Sequence, residues 1–207
     1  MRCIKGQFPV KPAFVMIMGI LLTGCLGGGN KVSYFVVNPG DLSVVGNGAT
    51  ENLKIELLNL HVPRYLERTH IAVRTSGNSL QFSELNQWGE DLRKNLMRTL
   101  ARNLAQLLST ADISTPLSRS SSIPDYRLEV HIDQFEQDVD GFVRLAARWQ
   151  LIDAGDDTPL GIRAAELTGT RKLEENDYDE MVSEMRDLFG QLCTSIAEEI
   201  SDRASAG

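Results

Sequence analysis

The most specific chemistry in this 207-residue chain lies in four residues, Leu22-Thr23-Gly24-Cys25. An apolar residue, two small residues and a cysteine make a lipobox. The thiol of the cysteine takes a diacylglyceryl group, and the small residues let a signal peptidase reach the bond before it. The preceding residues agree. Arg2, Lys5 and Lys11 make a basic start, and residues 13–22 read AFVMIMGILL. That run is shorter than the roughly 20 residues a membrane-spanning helix needs, and it fits the apolar region of an export signal. The sequence therefore predicts a cleaved signal peptide over residues 1–24. Cys25 would carry covalent diacylglyceryl and N-acyl lipid, residues 25–32 would form a flexible tether, and residues 33–204 a single periplasmic domain. Each buried CH2 contributes about 0.8 kcal/mol, so two or more acyl chains anchor a protein stably. Leu26, not Asp, follows the cysteine. Under the sorting rule of enteric bacteria this directs the lipoprotein to the periplasmic face of the outer membrane rather than retaining it at the inner membrane.

Other candidate groups carry less. The histidines are His61, His70 and His131. His131 and Asp133 fall on the polar face of one strand and could mimic a ligand or catalytic pair. A zinc site needs three or four ligands, the sequence offers no third, and a solvated sheet face is the plainer reading. There is no G-x-S-x-G elbow, and the serines at 118–122 read as loop. Glu174, Glu175, Asp177, Asp179 and Glu180 cluster at a helix start, where the macrodipole favours them. Glycosidase carboxylates would instead face each other across a cleft. Gly24 and Gly29 have P-loop separation, but Asn30 stands before Lys31 and Gly24 leaves with the signal. Cys3 is lost in the same way, so Cys193 has no intrachain disulfide partner and is expected to pack against the core. Trp88 and Trp149 read as core or interface residues. No catalytic, metal-binding or cofactor-binding residue is expected, and no cofactor beyond the lipid on Cys25. By elimination the chain is not an enzyme but a binding or structural protein.

The chain has 21 basic and 28 acidic residues. Three of the basic residues and none of the acidic ones lie in residues 1–24, which leaves 18 against 28, a net charge of −10. An acidic domain is a poor nucleic-acid binder, because phosphates need clustered Lys and Arg. It also repels anionic headgroups, so attachment must come from the lipid.

The elements that must position these residues follow from periodicity. Strands are expected over residues 34–37, 53–62, 71–75 and 79–82. The second shows a phase slip from Leu57 to Leu58, as a β-bulge would cause, and the last two form a hairpin around Gly77-Asn78. A leucine-striped helix spans about 89–108, with Leu92, Leu96, Leu100, Leu104 and Leu107 on one side. A polar loop over 110–124 would hold at most a short edge strand. A meander follows over 126–132, 143–151 and 160–170. Reading Asp140-Gly141 as a two-residue turn sets Asp133 opposite Arg148. A final helix starts near Asp177, which with Glu180 resembles a capping box. Its apolar stripe is Tyr178, Val182, Met185, Phe189, Leu192, Ile196 and Ile200; Glu180, Glu184, Asp187, Gln191 and Glu198 are expected opposite. The fold class is α+β: an antiparallel sheet with two long amphipathic helices packed on one face.

Several short motifs occur in the order seen in one known family. Tyr34-Phe35-Val36-Val37 is followed by Val62-Pro63-Arg64-Tyr65-Leu66, then Ile71-Ala72-Val73-Arg74, Trp88 before the leucine-rich helix, Tyr126 to Val130 and Phe135, Gly141, Trp149 and Tyr178. Over residues 32–201 the chain resembles the PqiC-type ABC-transport auxiliary lipoproteins, departing at Phe35, Val37 and Gln87. The resemblance implies a non-enzymatic outer-membrane partner of MCE-domain lipid-transport systems. Its partners would be a periplasmic MCE protein and an inner-membrane permease, and a homo-oligomeric ring is consistent with MCE symmetry. The alternative is a stand-alone outer-membrane assembly or envelope-stabilising lipoprotein.

Overall fold

The computed structural model describes residues 31–45, 50–118 and 122–206. The expected signal peptide, Cys25 and most of the expected tether lie outside them. The element order is β1 (Ser33–Phe35), β2 (Ile55–His61), β3 (His70–Ser76), β4 (Ser79–Trp88), α1 (Leu92–Leu108), β5 (Ile113–Ser114), β6 (Tyr126–Gln137), β7 (Val143–Asp153), β8 (Thr158–Thr168) and α2 (Tyr178–Ala206).

Strict alternation makes β6 the hub of an eight-stranded sheet. Leu128, Val130 and Ile132 are buried, while Arg127, Glu129 and His131 keep contact with solvent; a strand's side chains point to opposite faces in turn. β7 runs antiparallel along the whole of β6, and β8 along β7. On the other edge of β6, β2 lies parallel to residues 126–131 and β3 meets it at Gln137. β5 continues the sheet beyond β2, and β4 then β1 continue it beyond β3.

The expectation of an antiparallel sheet holds for β3 with β4, β6 with β7 and β7 with β8, and fails elsewhere. β1 and β4, β2 and β5, β2 and β6, and β3 and β6 pair in parallel. Turn chemistry fixes only the pairing of strands adjacent in sequence. Between β2 and β6 the chain passes through α1, and such long crossovers are what parallel pairing needs.

Both helices form where the stripes lie. Asp91 caps α1 by accepting from the Lys94 amide at 2.9 Å. Ser109 ends it at a left-handed φ of 53°, with the Thr110 amide donating to the Ala105 carbonyl, a C-terminal cap of Schellman type. Asp177 caps α2 by accepting from the Glu180 amide at 3.2 Å. α1 packs on β2 and β5, α2 packs on β6, β7 and β8, and the two helices pack on each other. The leucine stripe of α1 and Met185, Phe189, Leu192, Ile196 and Ile200 of α2 share one core with Leu57, Val130, Leu145 and Trp149. Glu184 is corrected from solvent face to interior. It is 4% exposed, because the β8–α2 connection folds over it and donates Thr170 N and Arg171 Nε to its carboxylate.

The β6–β7 hairpin also departs from expectation. The Asp138 amide donates to the Phe142 carbonyl at 2.8 Å, and the Gly141 amide to the Asp138 carbonyl at 3.2 Å. The loop is therefore Val139-Asp140-Gly141, three residues long, with Gly141 at φ +90°, the position that favours glycine in such loops. His131, not Asp133, stands opposite Arg148, and a bulge between Ile132 and Gln134 takes up Asp133. The Asp133–Arg148 contact forms all the same, at 2.9 and 3.1 Å. Among the described residues no helix is long and apolar enough to cross a membrane.

Candidate functional site

The residues that follow β1 are fastened to the domain by side chains of one helix. After β1, residues 37–42 have no strand partner. Their backbone is instead satisfied by side chains of α1, spaced three or four residues apart. Asn95 Oδ1 accepts from Val37 N at 2.8 Å, and Thr99 Oγ1 donates to Val37 O at 2.8 Å. Asn103 Oδ1 accepts from Gly40 N at 3.2 Å, and Gln106 Nε2 donates to Leu42 O at 2.6 Å. Asn95, Thr99 and Asn103 are all buried. Buried polar groups without partners are costly, so these side chains and the segment hold each other in place. Asn103 Nδ2 also points at Cys193 Sγ, 3.4 Å away. Cys193 is fully buried, and burial pushes its thiol up to about 12; it is a packed residue, as the sequence suggested.

Charged groups gather on the solvent-side row of β6. Glu136 has no exposed surface. It accepts from Tyr65 Oη at 2.6 Å, Arg74 Nε at 2.9 Å, Gln134 Nε2 at 3.0 Å and Phe135 N at 3.0 Å. Burial first, and the bond to Glu136 second, push the Tyr65 hydroxyl well above its ordinary value. Seven residues earlier Glu129 has a different setting. His61 Nε2 lies 3.0 Å and His131 Nε2 3.5 Å from its Oε1. The two rings stack with centroids 4.3 Å apart. The pair expected from the sequence, His131 with Asp133, is thus not the pair the fold makes: Asp133 goes to Arg148, and His61 and Glu129 come to His131. His70 stays apart on β3, with Gln87 Nε2 at 3.3 Å.

The other sequence candidates are structural. Trp149 is 6% exposed and donates Nε1 to Glu199 at 2.8 Å; Trp88 is buried against the core. Within the acidic run, Asp177 caps α2 and Glu180 pairs with Arg171. One cleft, of about 360 Å³, lies between the β6–β7 loop and the start of α2. A second, of about 520 Å³, lies between residues 39–42 and α2. Among the described residues, neither is lined by a serine, cysteine or histidine. Cys25 lies outside the described residues. Among the described residues strand β8 pairs only with β7, leaving an eleven-residue outer edge on which Ile162 is 69% exposed.

Comparison with known proteins agrees with this architecture. The chain is 29% identical over 195 residues to the protein named Intermembrane transport lipoprotein PqiC of Escherichia coli K12 and to its namesake in Shigella flexneri. Each alignment covers 92% of this chain and 98% of the relative. A crystal structure of an uncharacterized protein superposes with a TM-score of 0.67 at 24% identity, over 83% of this chain and 99% of that one. A protein from Xanthomonas campestris does so at 0.63 and 15%, over 86% and 97%; these two show the shared fold. The family of ABC-type transport auxiliary lipoprotein components, one of transport components and not of enzymes, matches residues 39–197. That match takes in part of the segment clasped by α1, the whole of β6 and most of α2, and the chain belongs to this family.

Proposed function

We propose that this chain is the outer-membrane-anchored lipoprotein subunit of an MCE/ABC-type intermembrane lipid-transport system. It docks the periplasmic MCE component to the outer membrane, at the far end of a path that begins at an inner-membrane permease. The observation that carries this reading is the near end-to-end alignment with a protein named as an intermembrane transport lipoprotein. The lipobox supplies the anchor at Cys25, and Leu26 favours the outer membrane. Residues 25–32 reach at most about 29 Å, at roughly 3.3–3.6 Å per extended residue, so the domain stays close to the lipid surface. The outer edge of β8 would let copies add strand to strand in a ring that matches MCE symmetry.

The test is affinity purification from detergent-solubilised envelopes, with mass spectrometry of proteins and lipids. Recovery of an MCE protein and a permease with phospholipid is the expected result. Recovery of the lipoprotein alone, or with outer-membrane assembly machinery only, would move the assignment to a stand-alone assembly or stabilising role. Cys25→Ala should leave an unlipidated precursor; the same variant found processed and sorted to the outer membrane would overturn the anchor.

A further inference from the structure

The His61–Glu129–His131 group is a product of register. Strand β2 contributes Asn59-Leu60-His61 and strand β6 contributes Glu129-Val130-His131, side by side and parallel. Asn59 pairs with Glu129, Leu60 with Val130 and His61 with His131. The bulge at Leu58 creates this arrangement. Up to Leu57 the odd-numbered residues of β2 are buried; beyond the extra residue Leu60 is buried, so Asn59 and His61 are turned to the solvent side. Without the bulge, the same alternation would point His61 into the core. Bulges that re-aim one side chain are frequent beside functional sites.

Two imidazole nitrogens and one carboxylate oxygen now converge. Among the described residues this is the one group of three His, Cys, Asp or Glu side chains whose donor atoms all lie within 4.8 Å of one another. The two nitrogen–oxygen separations, 3.0 and 3.5 Å, bracket the about 3.3 Å that bonds of about 2.0 Å at tetrahedral angles would set between ligand atoms. The side chains are 45%, 31% and 37% exposed for His61, Glu129 and His131, so an ion can enter without opening the core. A competing contact is neutral: Asn59 Nδ2 stands 3.0 Å from His61 Nε2 and would have to yield. Arg148, the cation opposite His131 on β7, is turned to Asp133.

We propose that His61, Glu129 and His131 form a binding site for a divalent transition ion of the zinc class. Two nitrogens and one carboxylate suit zinc, whereas magnesium and calcium prefer shells made only of oxygen. Three protein ligands leave a coordination position for water, here on the solvent side of the sheet.

The test uses the detergent-purified full-length lipoprotein carrying a purification tag without histidines and stripped with a chelator. It is titrated with zinc chloride and, separately, magnesium chloride against a chromophoric chelator. The expected result is one zinc per chain and no competition from magnesium. His61→Ala and Glu129→Gln should each weaken zinc by more than the roughly 10–100-fold that loss of an outer hydrogen-bond partner costs, while His70→Ala leaves it unchanged. Circular dichroism of each variant checks that the fold is retained. Absence of saturable zinc binding by the folded wild type would overturn the site. Binding that survives the His61→Ala/His131→Ala double variant, or falls as far in His70→Ala, would overturn it equally, and Glu129 would then be only a hydrogen-bond partner of two histidines.

Discussion

Glu129 and Glu136 sit seven residues apart on one strand and differ in almost everything that decides what a carboxylate can do. Glu136 is sealed from water, and a hydroxyl, a guanidinium, an amide side chain and a backbone N–H converge on it. Glu129 is 31% exposed and meets two imidazoles at one oxygen. The first has its acceptor capacity filled by the protein. The second keeps unfilled capacity, and its partners are imidazoles whose ring nitrogens can give a lone pair to a metal. Satisfied burial makes structure, while half-satisfied exposure leaves room for a ligand. The neighbours that decide the matter come from other strands: Tyr65 and Arg74 cover Glu136, whereas the bulge in β2 lifts His61 beside Glu129.

The two ends of β6 should therefore respond differently to mutation. The largest effect is expected from Glu136→Ala, which leaves the Arg74 guanidinium without its main partner. Breaking a buried ion pair in this way costs about 3–5 kcal/mol, to be read as a fall in the urea midpoint. Tyr65→Phe removes one donor from the same carboxylate and should cost about 1–2 kcal/mol. Asp138→Asn probes the loop end of β6 through pH. Burial raises the Asp138 carboxyl, but the bonds from Arg144 Nε and the Phe142 and Asp140 amides outweigh it and hold the group below 3.8. A carboxyl depressed on folding stabilises above its unfolded value and loses that contribution as pH falls through the folded one. The variant should therefore melt below wild type at pH 7, and the gap should close below about pH 4. The smallest effect belongs to Glu129→Gln, which without metal should change stability by under about 1 kcal/mol, as for other exposed pairs. A loss as large as that of Glu136→Ala would erase the distinction.

Much of the scaffold was legible in the sequence because it is local. Leucines four apart announced α1, the three-and-four spacing announced α2, and Asp177 with Glu180 marked its start. The phase slip at Leu58 located a bulge by alternation alone. The sequence predicts a hairpin loop one residue too short, because Asp-Gly serves both two- and three-residue loops and only the closing hydrogen bonds separate them. The parallel pairs escaped notice, since no signal in β2 says which distant strand it will meet. For the same reason the sequence pairs His131 with Asp133 and does not bring in His61, which lies 68 residues from Glu129.

The sequence by itself determined the lipobox pattern that ends at Cys25, the acidic charge of the chain, the two amphipathic helices and the alternation of β6 and β7. Each of these is a short-range pattern of residue types, read without knowing what lies across from it. The tertiary structure alone decided that β2 joins β6 in parallel, that α1 clasps residues 37–42 through Asn95, Thr99 and Asn103, and that Glu184 and Glu136 are interior. It also decided that His61 arrives beside Glu129 and His131. Those outcomes depend on which surfaces are buried together once the core closes, and the register that settles them is fixed by packing across the whole sheet.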